Sequence, residues 1–198
     1  MMEIRKFITG FSLAALVLLL AACAETPRAP DYAEITFRHL PSIKLNVGEI
    51  RFVREYVSPL KSPNVEHEMP VKIDSSIEEW VQQRLVAAGT PAAYAVVTLK
   101  DASVIETDLE KSTGLSALWK TDQSEKYDFR VEVEVQVVTV NGSKAFATAN
   151  AVQSTTMPED RTLLERDQMF YDKTERLLWD FNREMEKNIY SFLKPHLL

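Results

Sequence analysis

The sequence predicts an α+β domain: a four-stranded, mostly antiparallel sheet in the order β-α-β-β-β-α, with both helices packed on one face, preceded by a signal peptide and a flexible tether. Three observations predict it. Tyr127, Phe129, Val131, Val133, Val135 and Val137 alternate with Asp128, Arg130, Glu132, Glu134 and Gln136, the period-two pattern of a half-buried antiparallel strand. Asn141-Gly142 then signals a hairpin. From about Asp160 to Leu193, the stripe Leu163, Phe170, Thr174, Leu177, Leu178, Phe181, Met185, Ile189 and Phe192 recurs at helical spacing.

The chain opens on Arg5 and Lys6, a 16-residue apolar run from Phe7 to Ala22, and Leu20-Ala21-Ala22-Cys23. That layout is a secretory signal, and the run is shorter than the roughly 20 apolar residues of a spanning helix. Residues 1–22 are therefore expected to be cleaved, 23–34 to form a tether, and 35–198 to form one domain. The tether contains "AETPRAPDYA", with two prolines and no apolar periodicity, so it should run extended at about 3.1 Å per residue.

Ile43, Leu45 and Val47 alternate with polar residues, and Ile50 and Phe52 continue in the opposite phase across Gly48. One strand from Ile43 to Tyr56, bent by a bulge at the glycine, accounts for the flip. Ser75 and Glu78 have capping-box spacing ahead of the stripe Ile77, Trp80, Val81, Leu85 and Ala88, which predicts a helix closed by a left-handed Gly89. Residues 93–109 read as a strand bending near Asp101. In the hairpin, a two-residue loop would set the valines beside Asn150 and bury its amide. A three-residue loop, Val140-Asn141-Gly142, sets them beside Ala145, Ala147, Ala149 and Ala151 instead, and unpaired burial of polar groups is costly. The alanine strip would let the last helix approach the sheet closely.

The chain carries 23 Lys and Arg against 29 Asp and Glu, a formal charge of −6, and loss of residues 1–22 makes it −7. An acidic body without a basic cluster argues against nucleic acid. Cys23 is the one cysteine of the 198 residues, so the body has neither disulfide nor thiolate chemistry. The scattered glycines form no phosphate-cradling loop, which argues against a nucleotide, and no G-x-S-x-G elbow occurs. No cofactor is called for.

One segment holds candidate chemistry. In "SPNVEHEMP", stiffened by Pro63 and Pro70 with Pro59 just ahead, Glu66, His67 and Glu68 offer two carboxylates and an imidazole for proton transfer or a metal. The simpler reading is a rigid loop packed on the domain, with His67 bonded to a backbone carbonyl, and no catalytic or metal role is assigned. In the loop 112–125, Leu115, Leu118 and Trp119 lie outside any regular element. Exposed, they would mark a contact for a partner or a lipid; folded back, they cover the edge of the core.

Leu-Ala-Ala-Cys resembles the bacterial lipobox. That resemblance implies acylation of Cys23, which becomes the first residue of a chain held to a membrane by its acyl groups. Ala24, rather than Asp, implies the periplasmic face of the outer membrane, with the inner membrane as the alternative. A lipobox followed by β-α-β-β-β-α resembles the outer-membrane lipopolysaccharide-assembly lipoproteins of the LptE family, through "SSIEEWVQQRLVAAG", "EKYDFRVEVEVQVVTVNGSKAFATANA" and the "LLERD…MEKNIYSFL" tail. Accessory lipoproteins of envelope transporters share the order. The aromatic and glycine motif that the LptE family carries after its cysteine is replaced here by "AETPRAP". The resemblance implies a non-catalytic accessory or assembly factor contacting another envelope protein, with a periplasmic lipid or small-molecule binder as the alternative.

Overall fold

The computed structural model describes residues 32–109, 123–158 and 160–198. In chain order the strands are β1 (Ile43–Leu45), β2 (Glu49–Arg54), β3 (Leu85–Ala87), β4 (Tyr94–Asp101), β5 (Val104–Asp108), β6 (Gln123–Val138) and β7 (Lys144–Pro158). The helices are α1 (Ile73–Arg84), between β2 and β3, and α2 (Leu163–Phe192), after β7. The main sheet is four strands wide. β2 pairs with β4 in parallel, β4 and then β5 pair antiparallel with one edge of β6, and β7 pairs antiparallel with the other.

The hairpin follows from its side-chain pattern. Val137 faces Ala145, Val135 faces Ala147, Val133 faces Ala149 and Val131 faces Ala151. Thr139 N–H bonds Ser143 O at 2.9 Å and closes the loop Val140-Asn141-Gly142, with Gly142 left-handed at φ 81°. Valines and small alanines on one face leave room for α2. Asn188 Nδ2 reaches Thr148 O at 2.8 Å, Gln153 Nε2 reaches Asp180 at 2.7 Å, and Lys173 Nζ reaches Ser154 O at 3.4 Å. Helix numbers rise as strand numbers fall, so α2 runs antiparallel along β7 and its side chains cover carbonyls of this edge strand. The apolar face of the sheet, the stripe of α2 from Phe170 to Ile189, and Ile73, Ile77 and Trp80 of α1 form one core. The bend expected near Asp101 is the break between β4 and β5, where Arg130 N–H bonds Ser103 O at 2.8 Å.

Four local expectations need correction. The segment 43–56 is not one bulged strand: β1 pairs in parallel with β3 as a separate two-stranded sheet, and the phase flips at Gly48 because the chain there passes into the main sheet. The first helix does not start on a Ser75–Glu78 box. It begins at Ile73 behind Lys72, without a side-chain cap, and ends at Arg84, where pairing with β1 draws Leu85–Ala87 into a strand. Gly89 is not a left-handed cap; a Cβ there would collide with Asn46. Leu163 and Phe192 belong to the spacing of the last stripe yet are exposed, while Leu193 is buried.

The capping box that does exist stands at the start of α2. Glu165 N–H bonds Thr162 Oγ1 at 3.3 Å and Thr162 N–H bonds the Glu165 carboxylate at 2.9 Å. Thr162→Ala removes one of these bonds from an exposed helix end, and thermal or urea denaturation should show a loss of about 1 kcal/mol.

Candidate functional site

Beyond β2 the chain stays against the sheet. Glu55 and Tyr56 N–H groups bond Leu99 O at 3.0 and 3.1 Å, Val65 N–H bonds Val104 O at 2.9 Å, and Glu106 N–H bonds Pro63 O at 2.8 Å. The proline-rich segment is thus laced to β5 as a rigid flap, and Glu66–Glu68 forms a 3₁₀ turn within it.

That turn sends its three polar side chains to different places. Glu66 is buried: its carboxylate accepts from Tyr56 Oη and Ser58 Oγ, each at 2.6 Å, from Val104 N–H at 3.2 Å, and from Asn64 Nδ2 at 3.4 Å. Burial pushes its pKa up, but the bonds from Ser58, Tyr56 and the backbone outweigh burial and hold it below the usual glutamate value. The same carboxylate acts on Tyr56, whose phenol is pushed far up by burial and then by Glu66. Glu68 turns outward and pairs with Arg166 at 2.5 Å. Arg166 in turn lies 3.8 Å from Glu106 and 5.0 Å from the Phe170 ring centroid, so it pins the flap to α2. His67 stands between, with Nε2 3.8 Å from Glu68 and a buried Nδ1 that has no hydrogen-bond partner, so the expected bond to a backbone carbonyl is not made.

Beside the turn lies a cavity of about 410 Å³, lined by Tyr56, Leu60, His67, Lys72, Ile73 and Ser75 among others. Lys72 Nζ bonds the carbonyl of His67, and burial lowers its pKa against the pull of Asp74, Glu66 and Glu68. The site thus offers a small mixed cavity with an imidazole edge, and its glutamates are committed to holding the flap. Among the described residues no group of three or more His, Cys, Asp or Glu side chains is arranged to hold a metal ion. No helix among them is long and apolar enough to cross a membrane. Cys23, Leu115, Leu118 and Trp119 lie outside the described residues.

A second polar centre is not among the sequence expectations. Arg84, fully buried, donates Nε–H to Asn182 Oδ1 at 3.1 Å, pairs with Glu186 at 2.6 Å and bonds the carbonyl of Pro41. Trp80 Nε1–H shares Asn182 Oδ1 at 2.8 Å, which ties α1, α2 and the entering segment together. The signal was present: Arg84 continues the buried positions 73, 77 and 80 of α1, where a cation needs a partner.

No family model matches the sequence, and no curated protein does. Among solved structures, the chain is similar to a minor lipoprotein from Acinetobacter baumannii, at 12% identity over 71% of this chain and 92% of that one, with a TM-score of 0.36. It is also similar to lipoprotein B of Nitrosomonas europaea, at 9% identity over 82% and 92% of the two chains, with a TM-score of 0.39. Rare lipoprotein B of Shewanella oneidensis is similar at 12% identity over 68% and 94%, with a TM-score of 0.29.

Proposed function

We propose that this chain is a lipoprotein of the bacterial cell envelope, anchored through acyl groups on Cys23 at the periplasmic face of the outer membrane, and that it serves a transport complex as a non-catalytic accessory or assembly factor. The observation that carries the non-catalytic reading is the commitment of the flap's carboxylates. Glu66 spends its lone pairs on Tyr56, Ser58, Asn64 and Val104, and Glu68 pairs with Arg166 while standing 3.8 Å from His67 Nε2, longer than the hydrogen-bond reach that proton transfer needs. Leu20-Ala21-Ala22-Cys23 supports the anchor and Ala24 the choice of membrane. The outer face of the sheet, with Phe146 and Val152 exposed on β7, offers a contact for an envelope protein.

Photocrosslinking from Val152 in the lipidated protein in membranes tests this reading. Capture of a β-barrel protein supports an assembly role and capture of a transporter subunit an accessory one. Recovery of a bound small molecule, with no crosslink, would replace the proposal with the binding-protein reading, which the cavity beside His67 favours.

A further inference from the structure

One end of the domain differs in charge from the rest. The C-terminal end of α2, the 3₁₀ turn Lys194–His196, β1 and the tip of the β6–β7 hairpin meet there. Asn46 N–H bonds His196 O at 2.8 Å, Leu198 N–H bonds Lys44 O at 3.1 Å, and the hairpin tip at Val140 and Asn141 shares a surface hollow with His196. The stretches that converge, 40–48, 137–149 and 187–198, contain no Asp or Glu, in a chain that has 29. They carry four lysines: Lys187 pairs with Glu184 at 3.4 Å, while Lys44, Lys144 and Lys194 are exposed and in no ion pair among the described residues. The carboxylate that Leu198 bears in this chain offsets one of these charges. Among the lysines stand exposed apolar side chains: Val140 (65% exposed), Phe192 (63%), Leu198 (65%) and the half-exposed Tyr190.

Unpaired lysines among exposed aromatic and aliphatic groups make a surface suited to the headgroup region of a membrane. The ammonium groups meet lipid phosphates while the apolar groups enter the acyl boundary. We propose that this end of the domain docks on an anionic phospholipid bilayer. Charge complementarity selects that occupant, since the end is basic on an acidic body and an acidic surface would repel the rest. The reach of this end to the bilayer rests on the anchor proposed at Cys23.

The test uses the full lipidated chain with Val140→Cys labelled by an environment-sensitive dye, and Val57→Cys beyond the far end of β2 as the control. Vesicles contain brominated phosphatidylcholine, alone or with about one third phosphatidylglycerol. The chain should float with both, and the dye at 140 should be quenched on the anionic vesicles only, with none at 57. Each lysine near such a surface is worth about fivefold, so Lys44→Gln/Lys144→Gln/Lys194→Gln should lower the docked-to-undocked ratio roughly a hundredfold. Flotation with both vesicles and no quenching at 140, the result an acidic protein partner would give, overturns the proposal and leaves the anchor standing. Flotation with anionic vesicles alone, lost in the triple variant, keeps the docking end and overturns the anchor. Flotation with neither overturns both.

Discussion

Glu186→Ala should lose about 3 kcal/mol of stability, although Glu186 is partly exposed and would pass for an ordinary surface residue. Its carboxylate is the counter-charge of Arg84, whose side chain has no solvent exposure while that of Glu186 has 39%. Removing the anion leaves a buried guanidinium with only neutral acceptors, Asn182 and the Pro41 carbonyl. The cost falls at the low end for a broken buried ion pair because the space vacated by Glu186 opens to water. Arg84→Met, which removes the cation and keeps most of its volume, should cost less, since Glu186 can rehydrate. In the double variant most of the Glu186→Ala cost should vanish, which urea denaturation of the four proteins would show as a non-additive cycle. Additive costs would mean that Glu186 is not the counter-charge.

Glu66→Ala should also lose about 3 kcal/mol at neutral pH, because charge-assisted hydrogen bonds are worth about 1.5–3 kcal/mol and the Val104 N–H and Tyr56 hydroxyl lose their acceptor. The effect depends on pH with a defined sign. The folded pKa of Glu66 lies below its unfolded value, so its contribution is present in full above about pH 4.5 and fades as pH falls through that value toward the lower folded one. The gap between the native protein and Glu66→Ala should therefore narrow in acid. Glu66→Gln, which cannot ionise, should lack this component of the acid dependence. Denaturation midpoints measured at neutral pH and at about pH 3.5 test both statements.

How much was legible in the sequence depended on whether the deciding interaction was local. The register of the β6–β7 hairpin follows from alternating Val and Ala faces and one Gly, and each is a local property. The length and buried stripe of α2 likewise follow from spacing alone, apart from Leu163 and Phe192 at its ends. Leu85–Ala87 carries the spacing of α1 and reads as its last turn, yet it is a strand because β1, some 40 residues earlier, supplies a pairing partner. The phase flip at Gly48 was visible too, but a bulge and a change of sheet leave the same mark in the sequence. Glu66, His67 and Glu68 stood out as a cluster by adjacency. The 3₁₀ turn separates them, and the distant partners Tyr56, Val104 and Arg166 decide what each does. Arg84, Asn182 and Glu186 were hidden for the same reason, since residues about 100 positions apart complete one another only in the fold.

The central claim, a body without a thiol tied to a bacterial membrane through Cys23, is tested most directly by intact mass spectrometry of the native polypeptide extracted from membranes. The account predicts a chain that begins at Cys23 and carries the added mass of a diacylglyceryl group and an N-acyl group. An unmodified amino terminus, or a freely soluble form with a bare Cys23, would contradict it.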